Sequence, residues 1–163
     1  MWSRFINSSV IKVSSKLWYN CGVLMLNIEI RSYVPSDYPS VKKNLTEGGI
    51  YDENMDAEER LTEKIQRNPD SILVAVLDGQ VVGNVLIMED GWGPLLFRLA
   101  VGQSFREKGI GTKLLEEAEN KLKDKGYKEV HILIGENESE LQEYYAKRGY
   151  KEGNLYRWMY KEF

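Results

Sequence analysis

One cysteine and one histidine are all that 163 residues supply. Cys21 alone excludes an internal disulfide framework, and with His131 it falls short of the ligand cluster a nitrogen- and sulfur-bound metal needs, so no metal site is expected. No apolar run approaches the ~18 residues of a membrane span. No repeat or low-complexity segment is visible, and the net charge is only -3. Neither nucleic acid nor a membrane is therefore expected as a partner, and the sparse cysteine fits a reducing, cytoplasmic setting. Acid is also missing locally. Residues 1–28 carry Arg4, Lys12 and Lys16, and Glu29 is the first acidic residue. That bias sets residues 1–25 apart as a basic arm, a leader, or a start upstream of Met25, ahead of one domain over 26–163.

What is present reads as an ordinary globular domain, 42% hydrophobic and 29% charged. Residues 27–33 alternate as a strand. Ser36 or Asp37 can cap a helix that runs through Val41 and Leu45 to Gly48-Gly49. Residues 57–67 form a second helix. Two apolar strands, 71–77 and 80–88, join at Asp78-Gly79 as a hairpin. A third strand, 95–101, precedes a helix whose Ile110, Leu114, Leu115, Ala118 and Leu122 share one face. A buried strand at 130–134, a helix at 138–148 and a last strand at 154–163 complete an α/β (α+β) order. His131, amid apolar neighbours, reads as structural.

The stretch LAVGQSFREKGIGTKLL (99–115) combines a strand end, basic residues and two glycines at the mouth of a helix. A helix start offers unpaired N–H groups and positive dipole, and glycine lets an anion approach the backbone. On the residues alone, a phosphate cradle and a bare tight turn both fit. A Walker loop does not, because Thr112 precedes Lys113. A dinucleotide fingerprint does not either, because Leu114 stands where a small residue belongs.

Arg106-Glu107-Lys108-Gly109-Ile110-Gly111 resembles the Arg/Gln-x-x-Gly-x-Gly/Ala signature of the GCN5-related N-acetyltransferase (GNAT) family. Tyr145-Ala146-Lys147-Arg148-Gly149-Tyr150 is similar to the family's Tyr-Glu-Lys-x-Gly-Phe ending. The likeness in element order runs from about Leu26 to Phe163. It implies a GNAT fold, with a mixed, mostly antiparallel sheet of six to seven strands flanked by about four helices. It also implies acetyl-CoA as cofactor, with coenzyme A as product. Backbone groups of Leu99, Ala100 and Val101 would take the pantetheine arm. Arg106, with the amides of Lys108, Gly109, Ile110, Gly111 and Thr112, would take the diphosphate. Tyr145 would protonate the departing thiolate, while a small-molecule or peptide amine attacks directly in a ternary complex. Dimerisation is common in the family, and the last strand either serves it or covers the sheet.

The chain departs from the family pattern at the position seven before Tyr145. An asparagine is frequent there; Glu138 stands in its place, with Asn137 one residue off as the substitute cofactor contact. No glutamate lies on strand 95–101, so the general base is unassigned. Glu89 and Asp90 are the nearest acids, and as hairpin polar residues they fit equally well. Tyr51 and the acids Glu47, Asp52, Glu53 and Asp56 form a candidate acceptor wall that would draw a cationic amine, or an ordinary solvated loop. Two competing readings stay open. One is an acetyl-CoA-binding regulatory module of the same fold; the other is a transferase of longer acyl groups.

Overall fold

The computed structural model describes residues 27–161; the expectations for residues 1–25 fall outside them. Four antiparallel strands form one sheet in chain order. They are β1 (Ile28–Ser32), β2 (Ile72–Leu77), β3 (Gln80–Met88) and β4 (Leu95–Val101). Helices α1 (Tyr38–Glu47) and α2 (Glu58–Arg67) intervene between β1 and β2, while α3 (Ile110–Asp124) and α4 (Ser139–Ala146) follow β4.

The alternation of β2 explains the layering. Leu73, Ala75 and Leu77 face one way, into a core shared with Leu114, Leu115 and Ala118 of α3. Ile72, Val74 and Val76 face the other, against Val41 and Leu45 of α1 and Leu61 of α2. A strand buried on both faces reads as a continuous apolar run, and each fully buried leucine contributes about 2 kcal/mol of transfer free energy. Asp78 and Gly79 both take left-handed φ, 50° and 78°, which a tight two-residue hairpin between right-twisted strands requires. At the other sheet edge, Arg31 of β1 bonds Asp37 at 2.6 and 2.9 Å, holding the entry to α1 against the sheet.

Two expected strands are not strands. Residues 130–134 meet β4 through one parallel bridge, Leu95 to His131. Val130, Ile132 and Ile134 rest on the α3–α4 core, but His131 and Leu133 face out, Leu133 being 68% exposed. The segment is extended, half-covered and unladdered, and His131 is not a core residue. Residues 154–161 are exposed and join no strand of the sheet. Tyr156, Trp158 and Tyr160 fall on one alternating set and Leu155 and Met159 on the other, so the pattern selects no buried face and hence no register. The sheet of six to seven strands is therefore four-stranded among the described residues; the α/β class and the four helices stand. No helix among these residues is long and apolar enough to cross a membrane.

Candidate active-site cleft

β4 and the segment after His131 are joined at one end and separate beyond it. Leu96 donates to the His131 carbonyl and His131 to the Pro94 carbonyl, both at 2.9 Å. Further along, the two chains enclose a cleft of about 730 Å³ that reaches the first turn of α3. That volume suits a small-molecule site.

β4 is bent where the cleft opens. Asn84 pairs with Ala100 and Leu86 with Phe97, so β4 carries one extra residue. Arg98 takes that position at φ 55°, left-handed and strained for a non-glycine residue. Two groups hold it there. The fully buried Asn84 donates its side-chain amide to the Arg98 carbonyl at 2.9 Å, and Asp56 accepts from Arg98 Nε at 3.0 Å. The peptide that follows is trans, so an Arg98 carbonyl turned toward β3 aims the Leu99 N–H away from β3, toward the cleft. Asn44 of α1 braces Asn84 in turn, at 3.3 Å.

At the far end, α3 starts without a side-chain cap. Its N-cap is Gly109 at φ 76°, and a Cβ there would meet nothing within 4 Å. The first-turn N–H groups thus open onto the cleft with room for an anion, and the helix dipole favours one. Gly111 lies closer to cover: a Cβ there would come within 3.3 Å of the Tyr144 hydroxyl.

The loop's own cations are engaged elsewhere. Arg106 donates to the carbonyls of Val101 (3.1 Å) and Glu47 (2.9 Å), tying the end of β4 to the end of α1. Lys108 donates to the Ser104 carbonyl and lies over the Phe105 ring. The cation beside the α3 start comes instead from the turn just after α4. Arg148 donates to Thr112 Oγ1 at 2.7 Å and stacks 3.5 Å from the centre of the Tyr144 ring. Sequence reasoning quoted Arg148 inside a motif without giving it a role. A basic residue near a helix C-terminus is usual, and only the packing of α4 on α3 brings it to the cleft.

Tyr145 lines the cleft from α4, edge-on to Tyr144 and Tyr150 at 5.1 and 5.3 Å between ring centres. Its hydroxyl has no hydrogen-bond partner among the described residues. Burial, with the Tyr144 phenol adjacent, pushes Tyr145 up to about 12. Of the other residues singled out in the sequence, Leu99, Val101, Arg106, Gly109, Ile110, Gly111 and Thr112 line the cleft. Ala100 is buried on the α1–α2 side, and Lys108 and Asn137 are exposed outside the cleft lining. Glu138 does line it, accepting from the Gly135 N–H at 2.7 Å.

The candidate bases do not reach the cleft. Glu89 and Asp90 line a separate hollow with Trp92. Burial alone would raise the Glu89 carboxyl, but Lys125 and Asn68 bond it and hold it below its ordinary value. A carboxylate so held is a poor proton acceptor at neutral pH.

The buried phenols bear on alkaline stability. Burial pushes Tyr33 as well as Tyr145 up to about 12, and burial with the Glu119 hydrogen bond raises Tyr150. Above pH ~10 the unfolded chain sheds phenol protons that the folded chain keeps, so the unfolded state binds fewer protons and stability falls with pH. The unfolding free energy from urea titrations should be flat up to about pH 9.5 and drop between about pH 10 and 12, by up to a few kcal/mol in total. A free energy unchanged at about pH 11.5 would show these phenols to be solvated.

Residues 31–150 match the family model described as the acetyltransferase (GNAT) family. An acetyltransferase of Pectobacterium atrosepticum is 28% identical over 124 residues, covering 76% of this chain and 88% of its own. The structure of the PaiA N-acetyltransferase from Thermoplasma acidophilum in complex with coenzyme A matches with TM-score 0.66 at 27% identity. That match covers 77% of this chain and 91% of that one. Glucosamine-6-phosphate N-acetyltransferase from Arabidopsis thaliana shares the fold, with TM-score 0.61 at 23% identity over 83% of this chain and 99% of its own.

Proposed function

The chain belongs to the GNAT family of acetyltransferases, and on that premise we propose that it transfers an acetyl group from acetyl-CoA to a primary amine. One observation carries the reading. The uncapped first turn of α3 opens into the same cleft that the Leu99 N–H and Tyr145 border from its other walls. An anion site, a hydrogen-bond donor from a strand bulge and a protonated phenol are what a diphosphate-linked thioester needs from its protein.

The chain's own groups divide the work. The amides of Ile110, Gly111 and Thr112 hold the diphosphate, with Arg148 as the adjacent cation. Acetyl-CoA supplies the activated acetyl group. The Leu99 N–H, fixed by Asn84, donates to the carbonyl oxygen where negative charge develops. The amine attacks directly, without an acyl-enzyme, and Tyr145 holds a proton for the leaving thiolate. The amine's own proton leaves to solvent or to a carboxylate that substrate brings near. This reading takes residues 26–163 as the transferase domain, in a cytoplasmic setting, acting on a small-molecule or peptide acceptor, with the exposed segment 154–161 as the candidate surface for a homodimer.

Calorimetric titration of the purified chain with acetyl-CoA tests the reading, followed by thiol release across a panel of amines. The expected result is micromolar binding and amine-dependent thiol release. No binding up to millimolar acetyl-CoA overturns it. Binding with no release from any amine would replace it with an acetyl-CoA-binding regulatory module.

A further inference from the structure

The four acids of the loop after α1 read in the sequence as a draw for a cationic amine. In the structure three of them are engaged in hydrogen bonds of their own. Asp52 accepts the N–H groups of Asn54 and Met55, both at 2.9 Å, closing its own turn. Glu47 accepts the Gln103 N–H at 2.7 Å. Asp56 is 1% exposed and lies between Arg98 Nε and the Asp52 N–H, the latter at 2.8 Å. Only Glu53, exposed, has no such bond. None of the four lines the cleft. Where Phe97 and Ile50 line that end of it, the charged side chain is Arg98.

Arg98 is held in a particular way. Its backbone takes the strained bulge position and its Nε edge is used by Asp56, which is itself fixed from both sides. The other edge of the guanidinium is nearly unused. Nη2 has only the Met55 sulfur at 4.0 Å, too long to count for much, and Nη1 has no partner among the described residues. The side chain keeps 20% exposure where Asp56 keeps 2%, and Arg98 is among the residues that line the cleft. A planar fork with two free donors, oriented from behind by a buried carboxylate, matches the geometry of a carboxylate ligand. A purely structural ion pair has no need of a free fork facing a cavity. The strain of a non-glycine residue at the bulge is also consistent with a side chain kept there for what it binds.

We propose that Arg98 recognises the acceptor, and that the acceptor is an amine carrying its own carboxylate, such as a free amino acid or a peptide with an acidic first residue. The inference rests on the acetyltransferase reading above. The Leu99 N–H that would meet the acetyl carbonyl belongs to the next residue, so the carboxylate sits within one arginine side chain of the reacting centre. That limits the amine and the carboxylate to a short separation, and it disfavours a plain alkyl polyamine.

The test is a thiol-release assay on the full chain at saturating acetyl-CoA with matched acceptors. Each amino acid is paired with its carboxamide, each acidic-first peptide with its amide-side-chain counterpart, and plain alkylamines are included. The expected result is a kcat/KM preference of about tenfold or more for the carboxylate member of a pair, as loss of a charge-assisted bidentate contact implies. In Arg98→Gln that ratio should collapse toward one, and Arg98→Lys should keep only part of it, since an ammonium cannot form the fork. The free acids and the peptides tell the two sources apart. A wild-type ratio near one, turnover confined to amides or alkylamines, or an Arg98→Gln loss equal for both members would each overturn the proposal. The wild-type ratio needs no variant to fold. Absence of acetyl-CoA binding would instead strike the acetyltransferase reading, so the two failures are distinguishable.

Discussion

Tyr145→Phe is expected to lower kcat by about a hundredfold or more, within the range that a positioned general acid contributes, while acetyl-CoA still binds. The geometry makes this a clean substitution. The hydroxyl has no partner among the described residues, so its removal leaves no buried group unsatisfied there and should cost little stability. The ring keeps its edge-on contacts with Tyr144 and Tyr150. With Tyr145 pushed up to about 12, the proton is fully held at neutral pH, so the phenol donates a hydrogen bond to the departing thiolate. A thiol is the stronger acid, at about 8.5, so transfer is completed only as a proton from the amine or solvent returns to the phenol. The wild-type kcat should therefore show no fall due to Tyr145 below about pH 11. Tyr144→Phe is the control, since that hydroxyl lies within 3.3 Å of the Cβ position of Gly111 in the first turn of α3. Steady-state rates and acetyl-CoA affinities of the two variants decide the matter. A Tyr145→Phe enzyme within threefold of wild type, roughly the noise of such comparisons against a general-acid effect, would reassign the proton to water.

Much of the scaffold was legible because local and tertiary demands coincide there. Asp78-Gly79 marks the hairpin by conformational need, and the Ile110 to Leu122 spacing marks the core face of α3 by period. The site was legible only in part. Gly109 announces itself, since no other residue takes its φ freely. By contrast, Arg106 shows only its charge and place in the chain, whereas the carbonyls of Val101 and Glu47 that it binds are brought together only by folding. Asn84 carried a signal that was missed: a single amide inside VVGNVLIM needs a buried partner, and the partner is the bulge. Arg98 could not be placed, because a bulge depends on how two strands count against each other. The final strand failed for a related reason. Large apolar residues fall on both alternating sets, so the pattern singles out no face to bury, and a strand with no face to bury is only a pattern.

Gly109→Trp should weaken acetyl-CoA binding by about a hundredfold or more, the equivalent of losing one or two hydrogen bonds to charged oxygens. Two effects combine. The left-handed φ of 76° strains any side chain by about 1–2 kcal/mol, which lowers stability alone. The indole then has open space to enter, since nothing lies within 4 Å of the Cβ position. That space is where a diphosphate would approach the α3 amides. Stability and affinity thus separate: the thermal midpoint should fall by several degrees, while calorimetry shows the much larger loss. Arg148→Gln offers a graded comparison, because it removes the neighbouring cation and leaves the amides in place. Its loss should be about tenfold and should shrink as salt is raised, as a screened charge requires. If Gly109→Trp bound acetyl-CoA as well as wild type, the diphosphate would lie elsewhere, and Gly109 would serve only to turn the chain into α3. If Arg148→Gln alone were silent, the amides and the dipole would suffice, and the stacking of Arg148 on Tyr144 would be a packing contact between α4 and α3.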